Sequence, residues 1–378
     1  MNEAWLIEQF KWLHRHPELG LKEYETTAFL TGILRQSGVR LLDTGLETGA
    51  IAVISGKADG PVVGLRADID ALPIQEASGL PYASEREGVM HACGHDFHAA
   101  CMLGAALLLK AQEDRLPGTV KIIFQPAEEI DNGALAMVAT GLLNDVQAFY
   151  AGHTYPWLAP GTLGIKAGPV MAAADRFSVR LRGRGSHAGH PDNGIDPIPA
   201  LATLVSAAQT LVSRTVDPFD SAVVSITHVE AGNTWNIIPE EAFLEGTVRT
   251  MTPATRDAVQ QRLERVARAS AEAHGCTAEF EYQRGTASVI NDASACERAS
   301  AVARDLGFQV VRMPSSMGAE DFSDYLTIAP GAFIRVGTGG GCEAHHPKFT
   351  ADPSALFPAA KYFAALAVSE LNRLSGEA

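Results

Sequence analysis

Within the stretch Met90-His91-Ala92-Cys93-Gly94-His95-Asp96-Phe97-His98 the chain sets three imidazoles, a thiol and a carboxylate directly before the apolar run 99–109. Thiolate sulfur and imidazole nitrogen are the ligands of zinc and its neighbours among the divalent metals. Cys93 and His95 lie two apart on a loop with Gly94 between them, so both can converge on one ion. His91 and His98 are as apt to satisfy local hydrogen bonds as to ligate, and Asp96 is placed to cap the following helix. Such spacing needs distant ligands to complete a site. Gln125-Pro126-Ala127-Glu128-Glu129 offers two adjacent carboxylates, suited to two tasks: one binds a cation and the other handles a proton. Ala344-His345-His346-Pro347 can supply a closing imidazole, with the choice between the two histidines open.

The elements around these residues explain why they would meet. Periodicity predicts helices ahead of Pro17 and over 22–37, strands over 50–54, 61–65, 119–124 and 148–152, and a helix over 99–110. Alternation of this kind implies a mostly parallel sheet covered on both faces. Asp68, Asp70, Glu128, Glu129 and His153 each follow a predicted strand, at the carboxyl edge where open α/β sheets build their sites. From about Ala173 the pattern changes to strand 176–181, a glycine-rich loop at 183–189, helix 197–213, strands 222–229 and 241–249, helix 253–274 and strand 277–282. This βαββαβ order is that of a ferredoxin-like unit. The expected organisation is an α/β catalytic domain in two parts, 1–172 and 286–378, with an inserted domain at 173–285. The second part resumes with helix 293–306, strands 309–312 and 331–336, and helix 353–374. The glycine run 337–341 lacks the spacing of a phosphate-binding loop and reads as a connecting loop.

Composition narrows the partners. A formal charge of −14 would repel a phosphate backbone, which argues against nucleic acid. No window has the uninterrupted apolar length of a membrane span, and the first ten residues carry Glu3 and Glu8 where a leader would be basic and apolar. Five cysteines without a regular framework argue against a disulfide-stapled secreted fold. The expectation is a cytoplasmic globular protein with a small-molecule substrate.

Six blocks in order make the chain resemble a known family along its length. They are Gly64-Leu65-Arg66-Ala67-Asp68-Ile69-Asp70-Ala71-Leu72-Pro73, His91-Ala92-Cys93-Gly94-His95-Asp96, Phe124-Gln125-Pro126-Ala127-Glu128-Glu129, Asn236-Ile237-Ile238-Pro239, Gly246-Thr247-Val248-Arg249 and Gly318-Ala319-Glu320-Asp321-Phe322. The resemblance is to the dinuclear metal-dependent amidohydrolases, which include aminoacylases, hippurate hydrolases, auxin-conjugate hydrolases, bacterial N-acetyl amino acid deacetylases and related carboxypeptidases. It implies a metallopeptidase-type catalytic domain, with the inserted unit acting as a lid and making a homodimer. Two divalent ions, zinc or manganese with cobalt or nickel as alternatives, would be bound by Cys93, His95, Glu129, His153 and His345, with Glu128 as general base. Arg66 stands where related aminoacylases and carboxypeptidases have a metal-binding histidine, which fits the branch whose Cys93 and His95 ligate instead. The resemblance further assigns Asp68 to orient a ligand imidazole and His187 to stabilise the oxyanion across the domain or dimer interface. Arg249 would pair with the substrate carboxylate and Asn236 would contact the same ligand.

The implied activity is hydrolysis of N-acyl-L-amino acids, with N-acetylated cysteine or an S-substituted cysteine closest among the substrates. Dipeptides, hippurate and auxin conjugates are alternatives within the same chemistry. Two other readings compete: a cysteine-nucleophile hydrolase using Cys93, and a non-catalytic binding protein on a hydrolase scaffold. The presence of Glu128 together with five candidate ligands argues against the latter.

Overall fold

The computed structural model describes residues 1–56, 59–130 and 133–376. Helix α1 (Glu3–Arg15) starts where the Asn2 side chain accepts from the Trp5 N–H, and it turns Leu6, Phe10 and Leu13 into the core. Helix α2 (Tyr24–Gln36) has its first N–H groups received by the Glu18 carboxylate, at Glu25 and Thr26. Strands β1 (Arg40–Leu42), β2 (Ala50–Ser55) and β3 (Val62–Asp68) precede helix α3 (His95–Lys110), which is buried on nearly every side. Gly104 lets its neighbours in close. A Cβ there would come within 2.8 Å of Leu6 and 2.9 Å of Ala360. Strand β4 (Thr119–Gln125), helix α4 (Gly133–Ala139), and strands β5 (Ala148–Tyr155), β6 (Thr162–Gly164) and β7 (Gly168–Met171) follow.

Next come β8 (Ala173–Arg182), β9 (Ser186–His187), α5 (Pro197–Thr215), β10 (Ala222–Ala231), β11 (Ile237–Ile238), β12 (Glu241–Thr250), α6 (Pro253–Glu272), β13 (Thr277–Arg284) and β14 (Val289–Asn291). The chain closes with α7 (Ala293–Asp305), β15 (Gln309–Val311), β16 (Gly331–Gly337) and α8 (Leu356–Ser375). No described helix is long and apolar enough to cross a membrane.

Two compact units result. The first comprises Met1–Gly168, Ile290–Pro314 and Asp321–Ala378; the second comprises Pro169–Val289 and Ser315–Glu320. In the first, eight strands form one sheet in the order β1-β2-β4-β3-β5-β16-β6-β15. Its centre, β4-β3-β5-β16, is parallel, as is β15 beside β6, so the sheet is mostly parallel. The margins depart from that pattern: β2 runs antiparallel to both β1 and β4, and β6 antiparallel to β16. Short connections such as the one between β1 and β2 permit only antiparallel pairing, whereas parallel neighbours need crossovers. Leu6, Phe10, Leu65, Phe97, Leu103, Ile122, Phe363 and Leu366 belong to the core of this unit.

In the second unit, β10-β12-β8-β13 form an antiparallel sheet packed on α5 and α6. Alternation along β12 sends Ala242, Leu244 and Val248 into the apolar layer, while Glu241 lies on the other face with Arg180 and Arg182 as partners. Ser315–Glu320 returns to this unit through the Met171 to Ser316 bridge and the Ala172 N–H to Gly318 carbonyl bond.

Candidate metal centre and active site

Gly94 has φ +86°, and a Cβ on it would come within 2.6 Å of Thr154 Oγ1, so glycine is needed for the backbone and for the space. The tight turn brings Cys93 and His95 together at the start of α3. His95 Nδ1 donates to Asp70, toward its carbonyl at 2.9 Å and its Oδ1 at 3.1 Å. That fixes the tautomer and turns the Nε2 lone pair inward, where it has no hydrogen-bond partner among the described residues. His153 behaves alike: Nδ1 donates to the Thr154 carbonyl at 2.8 Å, leaving Nε2 at 3.4 Å from Cys93 Sγ.

Glu129 sits in a short 3-10 turn, Glu128–Ile130, after β4. Its backbone N–H donates to Asp70 Oδ2 at 3.0 Å, so one carboxylate steadies both His95 and Glu129. His345 approaches from the far end of the chain, held by its N–H to the Ala92 carbonyl at 2.8 Å, with Nε2 at 3.3 Å from Glu129 Oε1.

The donor atoms fall into two overlapping groups, Cys93 with His95 and His153, and Cys93 with Glu129 and His345; within each they lie within 4.8 Å of one another. Glu128 joins His95 and Glu129 at the same range. Among the described residues the buried His95 Nε2 and Glu129 Oε1 have no hydrogen-bond partner, as a cation site requires, so the donor set fits two divalent ions sharing the Cys93 sulfur. Electrostatics agree. Burial pushes His95 down, but Asp68 and Cys93 outweigh it and hold it well above its ordinary value, the signature of a field that favours positive charge. His153 is pushed well below, first by burial and then by His98 and Arg335, so it offers a neutral imidazole. Burial pushes the Cys93 thiol up, so a thiolate there calls for a cation beside it.

The structure separates the remaining histidines. His98 donates from Nδ1 to Asp68 at 2.6 Å and accepts the Thr154 N–H at Nε2, 2.8 Å, so both nitrogens are occupied. His91 is buried with neither ring nitrogen hydrogen-bonded among the described residues, and burial lowers it to about 4. His346 accepts the Lys348 N–H and does not approach Glu129 as His345 does. Asp68, expected to orient a ligand imidazole, instead receives His98 and the Arg66 guanidinium at 2.5 Å; at His95 that place is taken by Asp70. Asp96 is not the N-cap residue of α3: that is Gly94, because the left-handed turn starts the helix at His95. From inside the first turn Asp96 Oδ1 still accepts the Phe97 N–H at 2.9 Å, while its Oδ2 faces His14 Nδ1 at 2.6 Å. His153 lies inside β5 rather than after it.

In the second unit, His187 pairs with Ile237 across the β9–β11 ribbon, and the Ala188 N–H donates to the Asn236 carbonyl at 3.0 Å, so His187 and Asn236 are neighbours. His187 Nδ1 accepts the Gly189 N–H at 3.0 Å. Arg249 lies on β12 between Ala174 and Val223. Asp70 is placed by sequence at the same site edge as Asp68, two residues on, but its role as the acceptor behind His95 and Glu129 is visible only in the fold.

Residues 64–369 match the family model described as Peptidase family M20/M25/M40. The chain belongs to that family. Within it, an N-acetylcysteine deacetylase of Bacillus subtilis strain 168 is 48% identical over 370 residues, 98% of this chain and 97% of the relative. An N-acetyl-L-cysteine deacetylase of the same organism is 44% identical, covering 96% and 86%. The crystal structure of a Bacillus subtilis protein described as a dinuclear metal-binding peptidase from the M20 family superposes with a TM-score of 0.90 at 45% identity, over 98% of each chain. As an M20 member, this chain carries the two overlapping donor groups in the unit that contains most of the matched residues.

Proposed function

We propose that this M20 protein hydrolyses the amide bond of N-acyl-L-amino acids, with removal of an acetyl group from cysteine or an S-substituted cysteine as its preferred reaction. The observation that carries the reading is the pair of donor groups meeting at Cys93 with Glu128 beside them, in a chain whose relatives are named for deacetylation of N-acetylcysteine. Two divalent ions held by Cys93, His95, Glu129, His153 and His345, zinc or manganese with cobalt or nickel also suited, would polarise the scissile carbonyl and lower the pKa of the attacking water.

The chain's own groups do the rest. Glu128 takes the water proton and returns it to the departing amine. Asp70 holds the imidazole of His95 and the backbone of Glu129 in register. Arg249, for which no ion pair is found among the described residues, is assigned to the substrate carboxylate, with Asn236 beside it in that role. The Cys93-nucleophile alternative is disfavoured, because burial raises its thiol and the imidazoles beside it, His95 and His153, the latter with Nε2 at 3.4 Å from its sulfur, belong with it to the donor cluster.

The second unit is assigned as a lid and dimerisation domain. Strand β10 lies at a sheet edge with Val223 and Val229 exposed, an edge suited to pairing with a second copy, and the partner's His187 would stabilise the oxyanion. All five cysteines are unpaired, which supports a reducing compartment, the cytoplasm.

The test is Glu128→Gln assayed on N-acetyl-L-cysteine beside a panel of other N-acyl amino acids. Turnover should fall by roughly 100-fold or more with metal content unchanged. Near-native turnover in the fully metallated variant removes Glu128 from its role, and absence of N-acyl amino acid hydrolysis by the metal-loaded wild type removes the reading altogether.

A further inference from the structure

Glu23 is fully buried, an unusual place for a carboxylate, and its own helix does not explain it. It occupies the N-cap position of α2 yet makes no side-chain cap, since Glu18 already receives the N–H groups of Glu25 and Thr26. Its side chain turns away instead. Glu23 Oε1 accepts the Ala127 N–H at 2.8 Å. Burial raises the Glu23 carboxyl, with the Ala127 N–H among the contacts that pull it back.

Ala127 is itself unusual: fully buried, not glycine, and at φ +55°. The left-handed region is costly for an L residue and persists only where neighbours hold it. The turn is packed from two sides, by Gly20, whose Cβ would meet Ala127 Cα at 3.2 Å, and by Gly49 at φ +84°, whose Cβ would meet Pro126 at 2.7 Å. Ala127 directly precedes Glu128, and its backbone angles decide where the Glu128 side chain starts.

We propose that Glu23 is a positioning residue for the general base: its carboxylate clamps the left-handed Ala127 turn, and the turn aims Glu128. The proposal rests on the assignment of Glu128 above. Two carboxylates divide the segment between them. Asp70 fixes the Glu129 N–H, and Glu23 fixes the Ala127 N–H on the other side of Glu128. Releasing Glu23 therefore frees the Glu128 side of the turn while Glu129 keeps its own anchor. A displacement of about 1 Å at a reacting group can cost on the order of 100-fold in rate.

The experiment compares Glu23→Ala, Glu23→Gln, Ala127→Gly and the double variant Glu23→Ala/Ala127→Gly in the metal-loaded enzyme. Glu23→Ala should lower kcat by about 10- to 100-fold with KM and metal content near wild type. Glu23→Gln keeps a carbonyl oxygen for the Ala127 N–H and should retain most of kcat. Glycine adopts positive φ freely, so Ala127→Gly should recover part of the rate lost in Glu23→Ala. In the wild-type chain the Ala127 amide should exchange slowly with deuterium, a measurement that does not depend on any variant folding.

Wild-type kcat in Glu23→Ala, an equal loss in Glu23→Gln, no recovery in the double variant, or fast exchange at Ala127 would each overturn the clamp. A fall in metal content together with kcat would also do so, because it would place the defect at the ligands. Glu128→Gln distinguishes the two levels: if it is inactive while Glu23→Ala is unimpaired, the base assignment stands and only the clamp fails.

Discussion

Replacing Asp70 by asparagine should weaken metal binding at least as much as replacing it by alanine, a result that follows from counting donors. The Asp70 carboxylate accepts at both oxygens, from His95 Nδ1 at 3.1 Å and from the Glu129 N–H at 3.0 Å. A side-chain amide has one acceptor and one NH₂ group, so in either orientation of the substituted side chain a donor faces a donor. Alanine removes both contacts without adding a clash, and the His95 tautomer survives because the Asp70 carbonyl also accepts from Nδ1, at 2.9 Å. A hydrogen bond to a charged acceptor contributes about 1.5–3 kcal/mol. The His95 contact is shared with the carbonyl, so the loss in Asp70→Ala comes mainly from the Glu129 anchor. At about 1.4 kcal/mol per tenfold, the expected penalty is roughly 10- to 100-fold in metal affinity, the range found when a carboxylate behind a ligand is removed. Metal-stripped protein titrated with zinc against a chromogenic chelator reads this directly, with circular dichroism confirming the fold. Asp70→Asn binding within about threefold of wild type would refute the account of Asp70 as a double acceptor.

The closing ligand gives a paired expectation: His345→Ala loses metal from the isolated protein on dialysis and His346→Ala does not, and equal retention in both would exclude His345 as a ligand. His14 gives a pH dependence. Burial lowers its pKa, but Asp96 and Glu76 outweigh that and raise it from 6.5 to about 9, so its stabilising contribution is complete below the unfolded value and is lost as pH rises through about 9. His14→Gln should therefore cost up to about 3 kcal/mol in denaturant unfolding at pH 6 and progressively less toward pH 9.5; a gap that widens with pH would show the sign to be wrong. For the dimer, His187→Ala and Glu128→Gln, each inactive alone, should regain activity when mixed under subunit exchange, because one site in each heterodimer then carries neither lesion. Mixed dimers that form and stay inactive would place His187 outside the partner's site.

What was legible in the chain depended on how local the determining physics is. Strands over 50–54, 119–124 and 148–152 were readable because buried β-branched and aromatic residues come in runs bounded by turns, and each lies within an observed strand. The three-residue strand β1 was not, since Arg40-Leu41-Leu42 is too short to show a period and exists by pairing with β2. The start of α3 was misplaced by four residues because His95, Asp96, Phe97 and His98 look like a polar site segment, yet all four are buried in the first turn of the helix.

The same division runs through the site. Which residue types could bind a cation was visible from Cys93, His95, Glu129, His153 and His345, but no sequence pattern distinguishes an imidazole with a lone pair to give from one already committed. His98 has the same local credentials as His95, and its exclusion is decided by the Thr154 N–H, 56 residues away, and by Asp68, 30 residues away. Asp68 and Asp70 likewise share a strand end. Their tasks differ because the strand ends between them: Asp68 is the last residue of β3, facing Arg66 and His98, whereas Asp70 lies beyond the strand, where its two oxygens reach His95 and the Glu129 backbone. Glu23 is the extreme case. Near a helix start an acidic residue reads as a partner for the helix dipole, and it is contacts far along the chain, Thr48 and the backbone of Ala127, the latter 104 residues away, that receive its buried carboxyl. Ligand types thus belong to the composition of short blocks, whereas tautomers, anchors and the aim of the base belong to contacts that form only when distant strands of the sheet are already in place.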